Sequence, residues 1–67
     1  MSIHPKFEMG EQVKLFTHKG DNIRGKVIDR ESIWMRIHVY KVRDEMSNEE
    51  TGYLDYYATE DYLGKIP

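Results

Sequence analysis

There is no cysteine in these 67 residues, which removes disulfides and thiolate metal sites and leaves packing alone to hold the chain. The three histidines, His4, His18 and His38, stand at no i,i+4 or H-x-H spacing, so no zinc site is expected. Long apolar runs are also missing. The longest is Ile33-Trp34-Met35, far short of the roughly 20 residues a membrane helix needs. The opening MSIHPKFEMG has no apolar centre of the kind a secretory signal carries. A reducing, cytoplasmic setting is therefore the expectation. No glycine-rich phosphate loop occurs, no Ser or Thr stands in a nucleophile context, and nothing suggests a secluded pair of acids. Neither catalysis nor a cofactor is expected.

A basic excess is absent as well. The net charge is −2, unevenly spread: residues 1–40 hold seven Lys or Arg against five Asp or Glu, and residues 41–67 hold three against seven. Domains that live on phosphate contacts usually carry a clear positive excess. A protein partner is thus expected ahead of nucleic acid.

What remains is a short chain that reads as one domain, residues 1–67, with 1–6 as a flexible N-terminus. A domain of this size buries only about 60% of its unfolded surface, so every large apolar side chain counts. Turn signals recur at Met9-Gly10, HKGDN (18–22), DRES (29–32) and DEMSNEETG (44–52). The runs between them are rich in β-branched and aromatic residues and read as strands near 12–17, 23–29, 33–43, 52–58 and 63–66.

The stretch SIWMRIHVYKV, residues 32–42, fits a strand rather than a helix, because a helical stripe would need an apolar residue at position 36, which is Arg36. Alternation puts Ile33, Met35, Ile37 and Val39 on one side, and Trp34, Arg36, His38 and Tyr40 on the other. The odd set is expected inside. Val42 breaks that alternation and predicts a bend or bulge near Tyr40–Lys41. The expected core is Val13, Leu15, Val27, Met35, Ile37, Val39, Leu54 and Leu63. Gly25, within a strand, calls for a backbone bend or a close approach by another strand. Thr59 is a candidate cap for one short 3₁₀ turn. Five short strands cannot leave apolar edges open, and curling into a small barrel would remove them.

The spacing Phe7-x-x-Gly10-x-x-Val13-x-Leu15, then Gly20 and Gly25-x-Val27, resembles the start of small SH3-like barrels of the KOW and Tudor-like kind. Tyr57-x-Thr59-Glu60-Asp61-x-Leu63 is similar to their end. The resemblance spans residues 7–66 and implies an all-β, five-stranded SH3-like barrel with a 3₁₀ turn before the last strand. It further implies binding. Such folds use an aromatic groove flanked by acids for proline-rich or basic peptides, or an aromatic cage for methylated cations.

The expected partner-binding set is Trp34, Arg36, His38 and Tyr40, joined by Tyr53 and Tyr57 beside Asp55. Each has a plainer reading: Trp34 and Tyr40 as cover over the barrel ends, the tyrosines as amphipathic wall. The acidic loop RDEMSNEETG lacks calcium-ligand spacing and reads as a solvated hairpin loop. The expected function is a non-catalytic protein-interaction module, or a small accessory or regulatory subunit. The alternative is weak nucleic-acid binding through Lys14, Arg24, Lys26 and Arg36. A third possibility is a homo-oligomer that pairs exposed strand edges.

Overall fold

Residues 5–34 and 37–66 are described by a computed structural model. Met35, Arg36 and the side chain of Trp34, all named above, lie outside the described part. Five strands follow one another: β1 (Gln12–Phe16), β2 (Asn22–Trp34), β3 (Ile37–Asp44), β4 (Asp55–Thr59) and β5 (Leu63–Lys65), with a 3₁₀ turn (Glu60–Tyr62) before the last. They form one antiparallel sheet in the order β4-β3-β2-β1-β5. The fold is all-β, as expected. The expected barrel closure does not occur: β4 and β5 end the sheet and do not pair with each other.

β1 and β2 follow their sequence pattern. Val13 faces Gly25 and Leu15 faces Ile23 across the pair, while Lys14 and Arg24 oppose each other on the other side. The turn between them closes through Thr17 N–H to Asp21 O (3.0 Å) and Gly20 N–H to Thr17 O (3.0 Å). Asp21 N–H also donates to Thr17 Oγ1 (3.2 Å). Gly20 sits at φ 87°, a left-handed conformation that costs only glycine nothing. Gly25 is buried where β3 comes close. A Cβ there would lie 2.5 Å from the Arg43 carbonyl oxygen and 2.6 Å from Val42 Cγ1.

β2 is much longer than its sequence suggests. It runs straight through DRES, which read as a turn. Register shifts between Val27 and Asp29 and between Ser32 and Trp34 absorb the extra residues as bulges, which bend a strand without ending it. The irregularity expected near Tyr40–Lys41 is thus on β2 opposite that point, where Val27 pairs with Val42 and Asp29 with Lys41.

The core comprises Phe7, Val13, Leu15, Val27, Tyr40, Val42, Ala58 and Leu63, with Ile23 and Tyr56 packed against it. This reverses the expected face of β3. His38, Tyr40 and Val42 are buried; Ile37 is 37% exposed and Val39 is half-buried. Shifting parity by one residue exchanges every side chain of a strand, and the even set is anchored inside by Val42 and the fully buried ring of Tyr40. Leu54, expected in the core, is 56% exposed. It lies just before β4, past Arg43–Asp55, the last strand pair of β3 and β4. Phe7 enters the core from the N-terminal segment, its ring edge-on to Tyr40 at 5.4 Å. Lys6, assigned to a loose N-terminus, is held by Tyr40 Oη (3.0 Å) and Glu60 Oε2 (2.7 Å) through its backbone N–H.

A paired truncation tests this face. Leu63→Ala should cost about 2–5 kcal/mol, as large-to-small core changes do, and Ile37→Ala should stay within about 1 kcal/mol. Urea unfolding of the two variants measures both. Equal losses would return Ile37 to the core.

Candidate binding site

β4 separates two surfaces. On its outer side, aromatic and charged groups from β3 and β4 interleave. The Arg43 guanidinium donates to both carboxylate oxygens of Asp55, Nε to Oδ1 at 2.8 Å and Nη2 to Oδ2 at 3.1 Å, and lies 4.0 Å from the centre of the Tyr53 ring. Lys41 Nζ is 3.8 Å from Asp55 Oδ2 and 5.7 Å from the centre of Tyr57. The paired guanidinium holds the Asp55 carboxyl below its ordinary range, and Lys41 adds to the effect. Tyr53 and Tyr57 are both exposed, and each already has a cation over its ring.

On the other side, between β4 and the end of β1, lies an open groove of about 380 Å³ lined mostly by Leu15, Phe16, Ile23, Tyr56, Ala58 and Tyr62. Strand parity explains the convergence. Tyr56 and Ala58 point inward from β4 and meet Leu15 and Ile23, which point inward from β1 and β2. Phe16 ends β1, and its ring lies over Gly64, which has no side chain to keep it away. His18, from the β1–β2 turn, meets Tyr62 edge-to-face at 5.9 Å, joining that turn to the 3₁₀ turn. Phe16, Tyr57 and Tyr62 keep large exposed areas. The lining is mostly carbon, with few polar groups to fix orientation.

Away from the groove lining, a polar network ties the N-terminal segment to β3 and the 3₁₀ turn. Tyr40 Oη donates to Glu60 Oε2 (2.7 Å) and accepts from the N–H groups of Lys6 (3.0 Å) and Phe7 (3.3 Å). Burial raises the Tyr40 hydroxyl above its ordinary range, and the neighbouring Glu60 carboxylate adds to the rise. Burial works to raise Glu60 too, but the hydroxyl and the Lys6 amide outweigh it and hold that carboxyl below the usual value. His38 Nδ1 shares a 2.7 Å hydrogen bond with Ser32 Oγ. Its Nε2 has no partner among the described residues. Thr59 occupies the cap position of the 3₁₀ turn, but its hydroxyl makes no capping bond.

The expected partner-binding set is therefore divided. His38 and Tyr40 lie inside and present no surface; Tyr53 and Tyr57 are on the surface but at opposite ends of the outer row. Of the alternative set, Lys14, Arg24 and Lys26 come together through the β1–β2 register and enter no ion pair among the described residues. Asp44 and Glu45 line the same hollow as Lys14 and Arg24. Phe16 and Tyr62 were missed. Phe16 ends β1 and Tyr62 ends the 3₁₀ turn, positions that strand alternation alone does not interpret.

Among the described residues no group of three His, Asp or Glu side chains is placed to hold a metal ion, and no helix is long and apolar enough to cross a membrane. No family model, curated protein or solved structure matches the chain.

Proposed function

We propose that this chain is a non-catalytic protein-interaction module, a small accessory or regulatory subunit of the SH3-like kind. Its groove takes an apolar side chain from a peptide segment of a larger cytoplasmic partner. The observation that carries this reading is the apolar groove between β1 and β4, with Phe16 and Tyr62 at its rim. Exposed aromatic rings around an apolar hollow give large contact area at little entropic cost, which is why such residues dominate binding hot spots. The strand order and the 3₁₀ turn before β5 support the SH3-like assignment, as does Gly25 beneath β3.

A second reading draws on one observation: Lys14 directly opposes Arg24, with Lys26 on the same face. Like charges opposed across strands cost stability, and an anionic nucleic-acid backbone would relieve that cost. Asp44 and Glu45 in the same hollow and the net charge of −2 make it the weaker reading.

Affinity capture from native extract decides between them, using the wild-type chain and a Phe16→Ser, Tyr62→Ser variant, each with and without nuclease. The groove reading expects a protein retained by the wild type after nuclease and lost with the variant. Retention by the variant would refute the groove, and loss on nuclease treatment would favour the basic face, whose binding should also weaken steeply with salt.

A further inference from the structure

We infer that β4 is a self-pairing edge, through which two copies of this chain join antiparallel about Tyr57 into one continuous sheet. The inference goes beyond the groove reading and rests on the backbone of β4, although Tyr57 also borders the groove.

The two ends of the sheet are unlike. β5 has three residues and ends in Lys65, whose ammonium reaches Glu11 at 3.5 Å. A short, charged edge of this kind resists pairing. β4 has five residues, Asp55-Tyr56-Tyr57-Ala58-Thr59, with no proline and no register shift against β3. Its one charged residue, Asp55, is neutralised by Arg43 and Lys41, and neither a proline nor a bulge blunts the edge.

Hydrogen-bond parity shows which groups are open. The Asp44 N–H donates to Leu54 O at 2.8 Å, and hydrogen-bonded pairs alternate along an antiparallel ladder. Val42–Tyr56 and Tyr40–Ala58 are therefore the bonded pairs of β3 and β4. Asp55, Tyr57 and Thr59 turn their N–H groups to the free edge, where none has a partner among the described residues.

This edge is complementary to itself. With a two-fold axis at Tyr57, Tyr57 opposes Tyr57, Asp55 opposes Thr59, and Tyr56 opposes Ala58. It is the register in which all three open residues of β4 find a counterpart in β4 of the other copy. No like charges oppose each other, and the Asp55 carboxylate is already taken by Arg43 and Lys41. A two-fold axis at Asp55 would set carboxylate against carboxylate. Tyr57, 72% exposed, would be covered at the centre of the joint.

Sedimentation of the whole chain at neutral pH from about 10 μM to about 1 mM tests the proposal. Monomer should give way to dimer with a dissociation constant in the micromolar-to-millimolar range, where weak pairings fall. Tyr57→Lys places like charges across the axis and should weaken association at least about tenfold. Thr59→Pro removes one edge donor at a residue whose φ is −81°, close to what proline adopts, and should do the same. Amide exchange on the wild type gives a readout free of any variant: the Asp55, Tyr57 and Thr59 amides should slow as the mass doubles. A wild type that stays monomeric to about 1 mM overturns the proposal. So does a dimer indifferent to both substitutions, or one in which these amides keep exchanging freely.

Discussion

Gly25→Ala should destabilise the fold by about 3 kcal/mol or more, and Gly25→Val should leave the chain largely unfolded. The added Cβ would sit 2.5 Å from a backbone carbonyl oxygen, Arg43 O, and 2.6 Å from Val42 Cγ1. Overpacking a core costs about 1–3 kcal/mol when side chains can rotate away. A carbonyl within the β2–β3 ladder cannot rotate away without breaking its own hydrogen bond, so this site belongs at the top of that range or above it. A 67-residue domain has roughly 3–10 kcal/mol in total, so one methyl group removes a large share. Gly64→Ala is the matched control. There the nearest atoms are Phe16 Cε2 at 3.0 Å and Cζ at 3.1 Å, on an exposed ring that can swing aside, and the loss should stay below about 1 kcal/mol. Thermal melts by circular dichroism should place Gly25→Ala some 12 °C or more below wild type, at roughly 4–8 °C per kcal/mol. If both alanine variants melt together near wild type, β3 does not press on Gly25.

That close approach was legible in the sequence because glycine inside an alternating strand has few other reasons to be there. The inward faces of β1 and the first half of β2 were legible too, since Lys14, Arg24 and Lys26 mark the opposite side. β3 was not. Residues 33–40 carry apolar or aromatic groups on both sides, so alternation has two solutions, and the count of β-branched residues favours the wrong one. The correct solution buries Tyr40 and His38, and buried polar atoms generally need partners, which the Tyr40 hydroxyl and His38 Nδ1 find. Those partners, Glu60 and Ser32, lie in other elements. The bulge at Ile28 that lets DRES continue as strand is likewise invisible to a rule that treats polar clusters as turns. The groove depended on tertiary placement: Phe16 and Tyr62 come from distant parts of the chain and meet only because β5 returns beside β1.

Tyr40→Phe should cost about 1–3 kcal/mol at neutral pH, the usual loss when buried polar groups are left without a partner. The ring remains, including its edge-on contact with Phe7 at 5.4 Å, so the substitution isolates the hydroxyl. Removing it deprives the buried Phe7 N–H of its acceptor and Glu60 Oε2 of its 2.7 Å donor. The pH dependence should show which of these losses matters. Glu60 is held below its ordinary value of 4.5, so the folded state binds its proton less readily than the unfolded chain. Such a carboxyl stabilises the fold above its unfolded value and loses that contribution as pH falls through the folded one. Tyr40 is raised above 10.0. Its contribution is complete below that value and declines as pH climbs toward the raised one. The stability gap between wild type and Tyr40→Phe should therefore be widest between these limits, narrowing in acid as Glu60 protonates and again in strong alkali. Urea titrations from about pH 3 to about pH 9 would measure the acid side of that profile. A gap that stays constant down to about pH 3 would mean the hydroxyl serves only the two amides, with the Glu60 contact adding nothing. A gap that closes in acid would make Glu60, through Tyr40, the tie that fastens the N-terminal segment over the core.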